Sequence, residues 1–476
     1  MNERVLLLLA AGAAALWSFR RWREAVKVGL VLLIFEGALR KWVLPGAQDL
    51  IYFAKDVFFL GAYAGFLRQR PGLRYRAPSN PPLYIALVIA ALFGLFQVFN
   101  PQLPNLLVGL LGFKAYFFYV PLIFVMPAVF PSDAELARFL RRYVLIAIPV
   151  GLLAVSQFFS PGTSVINRYA WNANDIQYVA TFGSSAYVRV TGTFSFITGY
   201  TSYLLATSVL ALTVLGVWRW RLRGNLLLYL AFAMTLLGMF MSGSRGPVYL
   251  FVLLFPLYWW LAVAREKGSG STFGRLLVGL SLVAIFLFWV GGDAVSAFYG
   301  RARGASDVGN RMASPVTAPY FVLPQAGLLG FGIGATHQSA MVVTRGVPPY
   351  SWLRGLAVEA ETGRIMIELG PLGFALIHFI RIYLTIFAFR QVLMLRTRFH
   401  RSVAIAGFLF LLAQLPGGAV FDVTAGVYYW FFAGLLMVAI RLDRQAATVP
   451  AAKTAAPLPK DAAPVPVAES PWRSAP

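Results

Sequence analysis

The sequence contains no cysteine, and it has only three histidines. The lack of cysteine excludes a disulfide framework, a thiolate nucleophile and a zinc site with cysteine ligands. The histidines, His337, His378 and His400, lie too far apart in sequence to suggest a metal site. Charged residues are scarce as well, at 12% of the chain, whereas hydrophobic residues make up 59%. Soluble domains usually carry about 25% charged residues, so this composition is typical of a membrane protein.

Apolar segments follow one another along most of the chain. A run of about 20 apolar residues crosses the hydrocarbon layer as a helix, because a helix satisfies its own backbone N–H and C=O groups there. We therefore predict an all-α polytopic integral membrane protein with about 12–13 transmembrane helices, one of them broken near Lys114. The candidate segments are Val5–Phe19, Ala25–Leu39, Leu50–Leu67, Leu83–Phe99, Leu106–Phe130, Phe139–Phe159, Phe196–Trp218, Leu226–Met241, Val248–Ala264, Leu276–Val290, Ile365–Phe389, Val403–Leu415 and Val427–Ile440.

Basic residues outnumber acidic ones by 41 to 18, and the formal net charge is +23. Such an excess can indicate nucleic-acid binding, but here the basic residues form short clusters between apolar segments, as at Arg219, Arg221 and Arg223. Lys and Arg in short loops stay cytoplasmic, so the clusters indicate topology and attraction to anionic lipid, with no nucleic-acid partner. They predict a bacterial inner-membrane protein with a cytoplasmic C terminus. The first segment is followed by Arg20 and not by a cleavage site, so we expect it to be retained, either spanning the membrane or lying in the interface.

Two long stretches between apolar segments are predicted to face the periplasm. They cover residues 160–195 and 291–364 and contain glycine, proline and aromatic residues, which could stack on sugars or lie against lipid headgroups. Together with these periplasmic loops, residues 1–441 form one transmembrane helical domain. Residues 442–476 are rich in alanine and proline, and they predict a disordered cytoplasmic tail.

Arginines near the outer side are candidate anion ligands. Arg245 lies in a short turn within MSGSRGPVYLF, where glycine lets the backbone approach a ligand and the guanidinium matches phosphate oxygens bidentately. The alternative is an interfacial arginine that reaches lipid headgroups. Arg189, Arg311 and Arg364 also lie in or beside the outer loops, and several converging arginines would suit a diphosphate.

Acidic residues cluster where the long second loop meets the next apolar segment. They are Glu359, Glu361 and Glu368. A carboxylate at this place could act as a general base or pair with Arg364, and the sequence leaves both open.

Charged residues inside apolar segments are costly and indicate a partner or a cavity. The residues of this kind are Glu36, Lys55, Asp56 and Lys114. We interpret them as structural ion pairs within the helix bundle and leave them out of the catalytic residues. Closely spaced glycines at 330, 332 and 334 predict a tight turn and not a dinucleotide site, because no strand precedes them.

Several short motifs occur in order along the chain. They are RxxGTF at Arg189–Phe194, SxSRG at Ser242–Gly246, the segment around Arg311, GFGIG at Gly330–Gly334 and ELGPLG at Glu368–Gly373. With these motifs, the hydropathy pattern and the late long loop, the chain from about Leu83 to Ile440 resembles the superfamily of O-antigen ligases and O-antigen polymerases, also called Wzy-type.

The resemblance implies an inverting, metal-independent glycosyltransferase that acts on the periplasmic face without a cofactor. The implied donor is a glycan linked to undecaprenyl diphosphate, and a glycan acceptor receives it by polymerisation or ligation for surface polysaccharide or exopolysaccharide synthesis. Arg189, Arg245 and Arg311 would bind the diphosphate. The family often has a histidine where this chain has Glu359, so the base is expected to be Glu359, Glu361 or His337.

Two other classes of protein stay open at this point. A transporter of polysaccharide or lipid-linked sugar would use the charges inside the helices as a path. A non-catalytic component of an export complex would need none of these residues. Membrane lipids and other polysaccharide-assembly proteins are the further partners expected.

Overall fold

The computed structural model describes residues 3–69, 72, 75–170, 179–182, 187–217, 224–262, 269–303, 308–337 and 359–448. Regular structure in these residues is helical, and one isolated antiparallel bridge joins Thr181 to Val188. The α-helices are α1 Glu3–Arg20, α2 Trp22–Ala38, α3 Gln48–Tyr52, α4 Ala54–Gln69, α5 Pro81–Val98, α6 Leu106–Phe117, α7 Leu122–Val129, α8 Asp133–Leu145, α9 Ala147–Phe159, α10 Ile197–Val217, α11 Leu226–Met241, α12 Arg245–Ala262, α13 Ser269–Arg303, α14 Val308–Ala326, α15 Glu361–Met394, α16 Arg398–Ala413 and α17 Val423–Thr448.

The helices are those of a polytopic membrane protein. Eight helical stretches are long and apolar enough to cross a membrane, and a ninth results if α6 and α7 together form one bent span. These two helices meet at an angle of 46°. The break lies close to Lys114, as predicted, and Pro121 explains it, because proline has no backbone N–H and disfavours a helical conformation in the residue before it.

The second long stretch predicted as a loop, residues 291–364, is corrected by the structure. Its described part is largely helical, since α13 continues to Arg303 and α14 follows at Val308–Ala326. Helix α14 contains three prolines, at 315, 319 and 324. Proline is tolerated inside helices that pack against neighbours in a membrane protein, and α14 packs against α15.

The predicted C-terminal tail also starts later than residue 442. Helix α17 continues to Thr448, and Asp443 accepts the backbone N–H of Thr397 at 2.9 Å, while Arg441 donates to Gln445 at 2.9 Å. These bonds hold residues that follow the last apolar stretch in helical geometry. The rest of the predicted tail, residues 449–476, lies outside the described residues.

Helix α15 folds back on itself at Gly370. Glu361 and Arg381 are 20 positions apart, yet their side chains form an ion pair with an N–O distance of 2.6 Å. In a straight helix that separation would be about 30 Å. The fold-back is possible because Gly370 has φ 63° and ψ −177°, a conformation that side-chain-bearing residues avoid, and Pro371 starts the second half. The first half, residues 361–369, therefore stands beside the second.

Helices α10 and α17 form the centre of the bundle. In their most apolar windows, 83% and 89% of the residues are buried inside the protein. Helix α17 packs against α7 and α16, and α10 packs against α11 and α16. The other helices surround this pair, so residues at the ends of α10 and α17 lie close to loops from several parts of the chain.

The intrahelical charges form ion pairs, which confirms the structural interpretation. Lys55 Nζ lies 2.7 Å from a Glu36 carboxylate oxygen, and Lys114 Nζ lies 2.6 Å from one of Asp56. The Tyr119 hydroxyl also donates to Asp56 at 2.7 Å. Each cation thus has a neutralising partner, which makes its burial tolerable.

Candidate functional site

A small cavity, of about 10 Å³, lies where α6, α17 and the segment after α14 meet, and we call it the central cavity. Its only ionisable lining residues besides two tyrosines are Lys114 and His337, within the part of the chain that the structure describes. The full lining is Tyr52, Leu111, Lys114, Ala115, Tyr119, His337, Val420, Val423 and Gly426. A cation and an imidazole therefore face the same enclosed space.

The segment that carries His337 is a tight glycine turn, as predicted. Gly330, Gly332 and Gly334 have φ angles of 71°, 96° and 92°. At Gly334 the backbone also touches Gly112 of α6, and a Cβ atom on either residue would overlap the other's backbone. Only glycine meets both demands, positive φ and backbone contact. The turn thereby brings His337 against α6, which carries Lys114.

Glu368 fixes this turn from the first half of α15. Its fully buried carboxylate accepts the backbone N–H of Gly334 at 3.0 Å and that of Thr336 at 2.7 Å. It also accepts the hydroxyls of Thr336 at 2.6 Å and Tyr116 at 3.0 Å. With four donors on its two oxygens, Glu368 is a positioning residue for the turn.

Arg364 lies one helical turn before Glu368 on α15 and supports the same glycine turn. Its guanidinium donates to the Thr336 hydroxyl at 3.1 Å and to the Thr336 carbonyl at 2.5 Å. The group also lies over the Phe421 ring, with 3.6 Å between the guanidinium carbon and the ring centroid. Arg364, predicted to bind diphosphate, thus lies behind the central cavity and holds the residue next to His337.

His337 is a neutral side chain at physiological pH. Burial is the main cause that lowers its pKa to about 4, and the positive charges of Arg364 and Lys114 lower the pKa further. A neutral imidazole has a ring nitrogen that accepts a proton. Of the three predicted catalytic residues, His337 is the one that lines the central cavity.

The two predicted catalytic carboxylates have different surroundings. Glu361 is buried and accepts from Arg381 at 2.6 Å and from the backbone N–H groups of Val420 and Phe421 at 2.9 and 3.0 Å. These bonds give it a structural role, since they tie the start of α15 to the segment before α17. Glu359 is 77% exposed and lies 3.3 Å from Arg311, which is itself 60% exposed. Catalytic roles for both stay predictions, and the geometry favours His337.

Three arginines gather around the turn between α11 and α12, and we call them the arginine cluster: Arg189, Arg245 and Arg301. Arg189 donates to the Ser242 carbonyl and to the Ser244 hydroxyl, both at 3.0 Å. Arg301 donates to the Gly243 carbonyl at 3.1 Å, from the last turn of α13. Burial, then the nearby charges of Arg301 and Arg245, lower the pKa of Arg189 to about 10, so Arg189 remains charged at neutral pH. Guanidinium groups that lie close together suit the binding of phosphate oxygens.

The four arginines predicted to converge are therefore distributed. Arg189 and Arg245 lie together, Arg364 belongs to the central cavity, and Arg311 pairs with Glu359 at the surface. Arg301 was not among the predicted site residues, because the predicted apolar segment ended at residue 290. Arg301 and Arg303 form the basic last turn of the longer helix, and this pattern is the sequence signal that would have indicated Arg301.

No metal centre is evident among the described residues, since they hold no group of three or more His, Asp or Glu side chains that could ligate an ion. Comparisons with protein-family models, with curated proteins and with solved structures found no match for this chain. The functional interpretation therefore depends on the geometry and on the sequence motifs.

Proposed function

We propose that this chain is an inverting, metal-independent membrane glycosyltransferase. It would polymerise or ligate oligosaccharides linked to undecaprenyl diphosphate, on the periplasmic face of a bacterial inner membrane, for a surface polysaccharide or exopolysaccharide. The observation that carries the proposal is the central cavity, in which a neutral His337 faces Lys114 while Arg364 supports it from behind. An enclosed proton acceptor beside cations suits a reaction that removes a proton and releases an anion.

His337 is the proposed general base. An acceptor hydroxyl attacks the anomeric carbon from the side opposite the diphosphate, and the bond from that carbon to the diphosphate oxygen breaks. The hydroxyl proton passes to His337, and the single displacement inverts the anomeric configuration. A pKa of about 4 makes the free imidazole a weak base, but the negative charge of a donor diphosphate bound at the arginine cluster would raise that pKa.

The arginine cluster is the proposed diphosphate site. The diphosphate gains one negative charge as it leaves, so cations that are already in place stabilise the transition state more than the bound donor. Arg189 is held by Ser242 and Ser244, which leaves little side-chain reorganisation for the reaction step.

The proposed orientation follows the basic clusters of the sequence. It assigns 12–13 spans by adding α1, α2, α11 and α16 to the eight or nine stretches described above, and it places the C terminus in the cytoplasm. The absence of native cysteine makes this directly testable by single-cysteine labelling. A Thr163→Cys variant should react with a membrane-impermeant maleimide in the periplasm of intact cells, whereas an Ala446→Cys variant should react only after lysis. The reverse pattern would overturn the orientation.

The activity is tested with purified full-length protein and lipid-linked oligosaccharide repeats in nanodiscs. Native protein should form polymer, or transfer the glycan to a lipid A core acceptor, and His337→Gln should lower kcat by about 100-fold or more, the usual contribution of a general base. His378→Gln is the matched control, because His378 lies on α15 and stacks on Phe374 at 4.0 Å. Arg245→Ala should lower kcat with folding intact.

Absence of both polymer and transfer with native protein would overturn the proposal. A transporter would instead lose substrate movement most strongly when Lys55 or Asp56 is replaced, with no glycan transfer at any stage. Polymer formation without a lipid A core acceptor would assign the chain as a polymerase.

A further inference from the structure

A second cavity, of about 100 Å³, lies beside the first and is strongly basic. We call it the basic pocket; its lining is Arg40, Lys41, Pro45, Gln48, Arg168, Tyr169 and Ala170. Three of these side chains are cations and none is acidic. An anion in this pocket would be attracted by the guanidinium groups and would favour the protonated form of Lys41. No proposal made above uses this cavity.

Lys41 is the buried cation of the pocket. Only 3% of it is exposed, and its ammonium donates to the Thr191 hydroxyl at 3.1 Å and to the Gly192 carbonyl at 2.7 Å. Among the described residues no carboxylate pairs with it, although an ammonium group has three N–H donors. Burial without a counter-charge lowers the pKa of Lys41 to about 7. An anion in the pocket would supply the charge that the protein leaves out.

The backbone is irregular at this point. Residues Leu39–Val43 form a π-helix directly after α2. Neighbouring residues of an α-helix point about 100° apart, yet Arg40 and Lys41 line the same pocket. The wider π-turn, which often marks functional sites, accounts for this placement. The Arg40 guanidinium donates to the Ser195 hydroxyl at 2.9 Å, and this bond fixes the Arg40 side chain.

The pocket adjoins both parts of the candidate site. The Arg40 guanidinium lies 5.4 Å from the ring centroid of Tyr52, and Tyr52 lines the central cavity. On the other side, Tyr169 is close enough to Arg189 to interact with its charge. Residues 189–192 also connect the basic pocket to the arginine cluster, because Arg189 belongs to that cluster while Thr191 and Gly192 accept hydrogen bonds from Lys41.

We infer that the basic pocket, with Arg40, Lys41 and Arg168, is a second phosphate-binding site that is separate from the arginine cluster. Its ligand is a phosphate or diphosphate group, carried by a lipid-linked glycan or by the headgroup of an anionic phospholipid. The inference rests on the proposed function only in naming a lipid-linked glycan as one of these two sources. Phosphate oxygens match the two guanidinium groups and the ammonium in charge and in hydrogen-bonding capacity.

The test is binding of inorganic pyrophosphate to the full chain in nanodiscs of phosphatidylcholine, measured by isothermal titration calorimetry. Arg168→Gln changes an exposed side chain and leaves the fold intact, and Lys41→Met replaces a buried cation by an apolar side chain of similar length. Each should weaken one binding event by on the order of tenfold, as expected for one lost charge-assisted contact. Arg301→Gln should leave that event unchanged, and Arg444→Gln is the surface control.

Two competition arms identify the source of the phosphate. If phosphatidylglycerol in the nanodisc suppresses the event that Lys41→Met weakens, the pocket takes a phospholipid headgroup. If undecaprenyl diphosphate suppresses it and phosphatidylglycerol does not, the pocket takes a lipid-linked diphosphate. Wild-type binding in both Arg168→Gln and Lys41→Met would overturn the inference.

The experiments distinguish a refutation of the phosphate site in the basic pocket from a refutation of the proposed glycosyltransferase function. Pyrophosphate binding is measured without turnover, so weakened binding in the variants together with no glycan transfer by the native protein would refute only the glycosyltransferase. Active transfer with pyrophosphate binding unaffected by both substitutions would refute only the pocket.

Discussion

The protonation of His337 offers the sharpest test of the candidate site, because it can be measured without substrate. The chain has only three histidines, so labelled histidine in nanodiscs should give three sets of NMR signals. The set lost in His337→Gln belongs to His337. With a pKa of about 4, about 3% of the side chain should be protonated at pH 5.5, compared with about 90% for a solvated imidazole of pKa 6.5.

The same pKa predicts a change of stability with pH. Between pH 6.5 and 4 the unfolded chain binds a proton at His337 that the folded chain does not, so folded-state stability is lost as the pH falls. From pH 7.5 to pH 5 this residue should lower the free energy of unfolding by about 2 kcal/mol. Unfolding in mixed micelles should show a smaller loss for His337→Gln than for native protein.

Replacing Arg364 should raise the pKa of His337, because the substitution removes one of the charges that disfavour the imidazolium. Burial, the larger cause, would remain, so Arg364→Gln should move the NMR midpoint only part of the way towards 6.5. A native midpoint near 6.5, unchanged in Arg364→Gln, would mean that His337 is solvated and would refute the enclosed cavity.

Two further substitutions test the fold-back of α15. Gly370→Ala forces a side chain into a positive-φ conformation and against the Leu328 carbonyl, so it should cost about 1–3 kcal/mol in unfolding experiments; Gly300→Ala, with open space around the added carbon, should not. Glu361→Gln leaves Arg381 buried without its ion pair and should cost about 3–5 kcal/mol, and adding Arg381→Met should restore part of the loss. No recovery in the double variant would show that the pair does not act as a unit.

Sequence patterns predicted the features that local physics decides. Each predicted apolar segment falls largely on one helix or on two consecutive helices, since hydropathy depends on neighbouring residues alone. The glycine turn and the break near Lys114 were predictable for the same reason, because glycine and proline act on the backbone at their own positions.

The site depends on contacts between residues that are far apart in sequence. His337 shares a cavity with Lys114, and Glu361 finds its partner in Arg381 only because Gly370 reverses the chain. The irregular turn that places Lys41 in the basic pocket has no sequence signature, since its residues are ordinary helix formers. These placements follow from tertiary packing, which a single sequence does not display.

The anchoring of the two segments around residues 338–358 has a consequence for how such a protein can diversify. On one side Glu368 holds the turn that ends at His337, and on the other Arg381 and the backbone before α17 hold Glu361. Each anchor joins residues that lie far apart in the sequence. When such a chain diversifies, a change at Glu361 or Glu368 should therefore be accompanied by a compensating change in its partner, Arg381 or the Gly334–Thr336 turn.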